Sequence, residues 1–269
     1  MYSNEKEKAP LVSVIMPAYN AARFIEEAIV SVINQTVTDW ELLIIDDCST
    51  DDTLKIAETF SSKESKIKVI KNAVNMGVAK TRNRGMDLCN GRYVALLDSD
   101  DYWRPNFLEK ALACAEETKA DIVYTSYEMV DQENNKVCND FIVPEKTSFE
   151  ESIVRSVITC STVLLTSNIA KEQRFPTNMY HEDIALWFEL LRDGKTARGV
   201  TDVLAAYRQS PNSRSSDKIR SACRRWTIYR KHLKLPLAKS VITMIRYAYL
   251  GVLKFKKNMI LSHVKVVVE

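Results

Sequence analysis

Three apolar runs, 11–16 (LVSVIM), 40–45 (WELLII) and 93–97 (YVALL), each stop abruptly at a polar or acidic loop. Short runs of this kind read as buried strands, and the amphipathic stretches between them read as helices. Strands alternating with helices imply a mainly parallel central sheet with helices on its faces. In such sheets ligands bind in the crevice beyond the carboxyl ends of the strands. The loops at Tyr19-Asn20, Asp46-Asp47 and Asp98 to Asp101 should therefore converge on one crevice.

The alternation extends over the first half of the chain. A helix over 22–35 places Phe24, Ala28, Ile29 and Val32 near helical spacing, and further helices are expected at 53–60, from Gly77 to Cys89 and at 105–117. Strands are expected at 67–71 and 121–126, which closes a nucleotide-binding half of about residues 10–128. Residues 129–143 are hairpin-like around Asn134-Asn135. An acceptor-side half, 129–213, should add strands at 159–166 and 203–209 and a helix at 184–192, completing a catalytic domain over 1–213.

Composition narrows the class. With 269 residues and 46% hydrophobic content the chain can bury a large core, and its six scattered cysteines form neither a zinc pattern nor a disulfide framework, which suits a reducing cytoplasm. The polar start MYSNEKEKAP lacks the apolar stretch of a secretory signal, and the best apolar run, 241–255, is interrupted by Arg246. A cytoplasmic protein, peripheral on the inner face of the membrane at most, is the expectation. The formal charge of +3 conceals an asymmetry: 214–257 carries 13 Lys and Arg against one acid, Asp217, a net +12, on a body of net −9. This basic region, 214–269, should be helical with Pro236 as a divider. Val241, Ile245, Ala248, Tyr249 and Val252 lie at helical spacing, a pattern that serves either to lie on an anionic membrane or to dock on the catalytic domain. No nucleic-acid-binding motif accompanies the charge.

The chemistry-bearing residues are acids. Carboxylates two apart in extended backbone point the same way, so Asp98 and Asp100 can share a task across Ser99. Beside a bound diphosphate they need a cation between, and Mg²⁺ or Mn²⁺ held by one or two carboxylates plus phosphate oxygens meets that need. Turn and capping acids ahead of Pro105 account for the same stretch, and Asp101 fits that part. Asp46-Asp47 suits a base N–H or a ribose hydroxyl, and equally an acidic turn. Asp183 stands where an N-cap of the helix 184–192 would stand.

In order along the chain, VSVIMPAYN (12–20), DDCSTD (46–51), Asn75-Met-Gly77 with Arg82-Asn-Arg-Gly85, Asp98-Ser-Asp100 and His181-Glu-Asp183 resemble the inverting glycosyltransferases of family 2, including those of bacterial surface polysaccharides and O-antigen. The resemblance covers about residues 10–210. It implies a GT-A fold, Rossmann-like in its sheet, and a nucleotide-sugar donor, UDP-linked in the leading reading. Pro17, Ala18, Tyr19 and Asn20 would border the uracil or ribose, with Asp47 on the base, Asp46 beside it, and Asn75 and Arg82 near the base or phosphates. Asp98, Ser99 and Asp100 would form the DxD stretch, with Asp100 on Mn²⁺ or Mg²⁺ and Asp98 leaning toward ribose. Asp183 would take the acceptor's proton, and Arg208 or Arg214 would support the departing diphosphate. The acceptor would be a glycan, lipid-linked in a membrane setting. Cys48 stands where glycine is common in that family, and no needed carboxylate is lost. Two alternatives stay open: a sugar-1-phosphate nucleotidyltransferase, which a Gly-rich loop after the first strand would mark, and a transferase-like fold that only serves as a membrane-associated assembly partner.

Overall fold

The computed structural model describes residues 9–209 and 218–265, with side chains described over 9–209 and 220–251. The chain runs β1 (Val12–Ala18), α1 (Ile25–Ile33), β2 (Trp40–Asp46), α2 (Thr53–Ser61), β3 (Ile67–Lys71), α3 (Val78–Leu88) and β4 (Tyr93–Leu96). It continues through β5 (Tyr102–Trp103), α4 (Phe107–Thr118), β6 (Ile122–Val130), β7 (Lys146–Thr147), α5 (Phe149–Val154), β8 (Val163–Thr166) and α6 (Ser167–Glu172). α7 (Glu182–Arg192), β9 (Ala197–Arg208), α8 (Lys218–Thr227), a π-turn (Ile228–His232) and α9 (Leu237–Lys265) complete it.

One sheet carries everything, in the order β3-β2-β1-β4-β8-β6-β9-β5 with β7 added beside β9. The expected parallel arrangement holds for β3, β2, β1 and β4, and again for β6 with β9. β8 runs antiparallel to both its neighbours and stitches the two parallel parts together. The strand expected at 159–166 is shortened because Cys160–Thr162 forms a 3₁₀ turn, and the one expected at 203–209 is lengthened to Ala197–Arg208. The hairpin beyond β6 is present, with Asn134 at φ 66° in its turn and bridges from Val130 to Lys136 and Tyr127 to Phe141.

β1 is buried on both faces, which is why it reads as an unbroken apolar run rather than an alternating one. Val12, Val14 and Met16 pack toward α1 and α4, while Ile15 packs with Val94, Leu96 and Ile122 in the opposite layer beside α7. Full burial of side chains this size contributes about 1.5–3 kcal/mol each before entropy is charged against it. α3 lies so close to β1 that a Cβ on Gly85 would come within 2.3 Å of Ile15 Cγ2. That contact fixes the height of α3 over the strand end.

The described part of the basic C-terminal region is docked on the body. Ile228, Tyr229, Leu233 and Leu235 pack with Ile153 and Val154 of α5 and Ala185 and Phe188 of α7. The buried Arg225 donates to the Ile153 carbonyl at 3.2 Å and to Ser156 Oγ at 2.7 Å. Leu237 follows Pro236, so the proline does separate α8 and the π-turn from α9. Among the described residues no helix is long and apolar enough to cross a membrane.

Candidate active site

The first wall is the junction of the loops after β1 and β2. Pro17 and Ala18 are buried, Tyr19 is half exposed at the rim, and Asn20 turns the chain at φ 49°. The Asn20 N–H donates to Ser49 Oγ at 3.1 Å, and Asn20 Oδ1 accepts from the Thr50 N–H at 2.9 Å. Asp51 accepts from the Ala22 and Thr53 N–H groups and from the Thr53 hydroxyl. Burial pushes its carboxyl upward, but these hydrogen bonds from Thr53 and Ala22 outweigh it and hold Asp51 below the usual range.

Asp47 is buried and fully engaged. Its Oδ1 accepts from Asn72 Nδ2 and the Met76 N–H, each at 2.8 Å, and its Oδ2 accepts from the Gly77 N–H at 2.8 Å. Gly77 sits at φ 83°, a conformation that costs glycine little, and it turns its N–H to the carboxylate. Asp47 thus holds the loop that presents the exposed Asn75. Asp46 is the opposite case: Oδ2 accepts from the Ser49 N–H at 3.2 Å, and the buried Oδ1 has no partner among the described residues. The division of labour expected from sequence, Asp47 on the base and Asp46 beside it, therefore meets a structure in which Asp46 keeps the spare acceptor.

The second wall is the end of β4. The Asp98 N–H donates to Ser161 Oγ at 3.1 Å, and the Ser161 hydroxyl donates to Asp101 Oδ2 at 2.5 Å. Asp101 Oδ1 also accepts from the Arg208 N–H at 2.8 Å, so Asp101 is a tie between β4, the 3₁₀ turn and β9. This refines its expected part as a turn acid. Arg208, expected as a cation for the diphosphate, is committed elsewhere. Its Nε donates to the Asp100 carbonyl, its Nη1 to the Asp131 carbonyl and Asn134 Oδ1, and its Nη2 to Glu27 Oε2 at 2.6 Å. A guanidinium with every nitrogen so directed is scaffolding. Arg214 lies outside the described residues.

Arg82 joins this wall to a third. Nη2 meets Asp98 Oδ1 at 2.6 Å and Nη1 meets Glu182 Oε1 at 2.8 Å, with the guanidinium 5.4 Å from the Phe175 ring. Its side chain is 3% exposed, against 28% for Asp98. The sequence points Arg82 at base or phosphates; the structure buries it between two carboxylates, which supply the compensation a buried cation needs. Glu182 has no part in the sequence reading, although it stands inside His181-Glu-Asp183. A hundred positions separate it from Arg82, and no local pattern announces such a pair.

Asp183 is the second residue of α7, whose N-cap is His181 at φ 64° without a side-chain cap. The capping alternative for Asp183 is thereby removed. Its carboxyl is raised first by burial and then by the neighbouring Glu182, with Arg82 pulling the other way. Asp100 is raised to about 6, by burial and then by the charge of Asp98, and Asp101 is raised for the same two reasons with Asp100 added. Ser99, between Asp98 and Asp100, is buried.

Among the described residues no group of three or more His, Cys, Asp or Glu side chains is arranged to enclose a metal. A site of one or two carboxylates completed by phosphate oxygens requires no such cage. Asp100 has no ion pair among the described residues, and its crowding by Asp98 is a deficit of positive charge that a divalent cation would relieve. The residues fit Mn²⁺ or Mg²⁺.

A mixed α/β sheet with acid-bearing loops after β2 and β4, and an acidic start of α7 tied to the second by Arg82, has the architecture of GT-A glycosyltransferases. The description Glycosyl transferase family 2 matches residues 13–148, and the chain belongs to that family. It is 36% identical to the putative teichuronic acid biosynthesis glycosyltransferase TuaG of Bacillus subtilis, over 89% of this chain and 95% of the relative. It is 35% identical to the UDP-Glc:alpha-D-GlcNAc-diphosphoundecaprenol beta-1,3-glucosyltransferase WfgD of Escherichia coli, over 91% and 94%. The crystal structure of S. aureus TarS 1–349 with UDP-GlcNAc shares the fold at TM-score 0.69 and 22% identity, covering 88% of this chain and 71% of that one. The mannosyltransferase PcManGT of Pyrobaculum calidifontis, solved with GDP-Man and Mn²⁺, shares it at TM-score 0.67 and 18% identity, over 91% and 70%. The chain is thus a glycosyltransferase by family, and the nucleotidyltransferase alternative falls away.

Proposed function

We propose that this glycosyltransferase moves a sugar from a UDP-sugar to a hydroxyl of a lipid-linked glycan by one inverting displacement, at the cytoplasmic face of the membrane and in contact with it. The observation that supports the reading is the linkage of Asp98 through Arg82 to Glu182, the chain neighbour of Asp183, together with the influence of the Asp98 charge on the raised Asp183 carboxyl. Asp183 accepts the acceptor's proton as the hydroxyl oxygen bonds to the anomeric carbon. The carbon–oxygen bond to the diphosphate breaks on the opposite face and UDP leaves with the electron pair. A carboxylate raised by burial is a stronger base than one in water, which suits it to this task. Asp98 and Asp100 would hold Mn²⁺ or Mg²⁺, which when bound supplies electrostatic stabilisation of the diphosphate. The exposed Tyr19 and Asn20 after β1 and Asn75 on the loop held by Asp47 are the groups offered to the nucleoside, with Pro17, Ala18 and Asp46 buried behind them.

The test is UDP release from a panel of UDP-sugars with polyprenyl-diphosphate-linked acceptors, with and without Mn²⁺. Metal-stimulated release with one donor is expected, and Asp100→Asn should lower it by about 100-fold. No release with any donor, despite measured UDP binding, would favour the assembly-partner alternative.

A further inference from the structure

α9 is docked by a mixed face, in which Met244 packs on the cluster of Phe188 and Tyr229 beside buried hydroxyl groups. Ser240 and Thr243 are buried against the body, Ser240 Oγ donates to the Pro236 carbonyl at 3.0 Å, and Tyr247 lies 4.3 Å under the Arg225 guanidinium. The other side of the helix carries Leu237, Val241, Ile242, Ile245 and Tyr249, which are 58%, 41%, 58%, 64% and 63% exposed. Leu237, Val241, Ile245 and Tyr249 follow one another at four-residue spacing, and Ile242, three before Ile245, widens the same face. Neither sequence alternative foresaw this combination: the helix docks on the catalytic domain and still offers its apolar stripe outward.

We infer that this outward face of α9 inserts into the interfacial region of an anionic lipid bilayer and fixes the enzyme's orientation on it. Charge selects the occupant. The region 214–257 is net +12 while the rest of the chain is net −9, so an anionic surface attracts the tail and repels the body. A second copy of the chain would bring two such tails together. An apolar stripe flanked by the exposed Arg246 is the arrangement of a helix lying in the membrane plane, with Tyr249 suited to the headgroup boundary. The helix is also tied to the catalytic body, by Met244 against the cluster of Phe188 and by Lys239 paired with Glu150, and the segment before it is tied more deeply. Tyr229 hydroxyl and Arg225 both donate to the Ile153 carbonyl, and Leu233 and Leu235 share a cluster with Phe188 of α7, the helix that begins with Glu182 and Asp183. Seating α9 on a bilayer therefore sets the distance of Asp183 from it. The inference deepens the lipid-linked-acceptor reading by naming the surface that meets the lipid.

The test is co-sedimentation of the full chain with vesicles of phosphatidylcholine alone and with 30 mole per cent (about a third) phosphatidylglycerol, neither holding donor or acceptor. Binding to the anionic vesicles, weakened by salt, is expected, and Ile242→Asp with Ile245→Asp should weaken it at least about tenfold. Circular dichroism and UDP release onto a soluble acceptor analogue should stay unchanged, since both side chains point away from the body. No binding by the unaltered chain, or equal binding by the double variant, overturns the inference. So does a dimer that the double variant dissolves without any vesicle binding. Because the vesicles lack substrate, failure here removes the membrane contact and leaves the sugar transfer itself standing, and failure of UDP release leaves this inference standing.

Discussion

Beyond β2, Asp47 and Asp51 are met by donors, whereas beyond β4 Asp98 and Asp100 crowd one another. Asp47 receives three N–H groups and Asp51 receives N–H groups and a hydroxyl, so both are spent on holding loops. Asp100 and Asp183 instead sit among like charges in poorly hydrated surroundings, and both are raised. Matched acids build the wall of a site. Acids in deficit of positive charge are the ones left to bind a cation or take a proton.

Three measurements can break or sharpen that contrast. The largest effect is expected from Asp183→Asn, which should lower kcat by about 10²–10⁴-fold while leaving UDP affinity within about twofold. Parallel loss of UDP binding would move Asp183 to the structural side. Next come the paired substitutions Asp47→Asn and Asp100→Asn, followed by thermal unfolding in metal-free buffer. The first strips a buried carboxylate from three donors and should cost about 3 kcal/mol, or roughly 10 °C in Tm. The second relieves repulsion and should raise Tm by about 2–4 °C, a gain in stability obtained by giving up function. Equal losses from the two would erase the distinction.

The smallest effect is in pH dependence. A raised Asp183 must be ionised to act as base, so kcat should fall as pH drops through a value above the ordinary carboxylate range near about 4. Removing the Glu182 charge with Glu182→Gln takes away the second cause of the rise, and the acid limb should move to lower pH. An unmoved limb would show that Asp183 does not titrate in it.

The parallel strands and their acidic ends were legible because apolar runs and the loops that stop them are local patterns. β8 escaped in direction, since nothing within Val163–Thr166 tells it to run against both neighbours. Arg208 read as a free cation because its partners, Glu27, Asp100, Asp131 and Asn134, come from distant segments. Ser161 carries no signal at all; its importance lies in touching Asp98 and Asp101 at once. Asp183 was legible as a candidate, but the choice between base and cap needed the observed N-cap at His181. For α9 the stripe could be read, and which side of it faces the body could not.

The closeness of α3 to β1 reaches further than packing. Arg82 stands three positions, nearly one turn, before Gly85, on the same helix that rests against Ile15. A methyl group at position 85 would lift that turn and draw the guanidinium away from Asp98 and Glu182 together. In a saturation screen for activity, a residue with no side chain and no expected contact with either substrate should behave as intolerantly as the acids themselves.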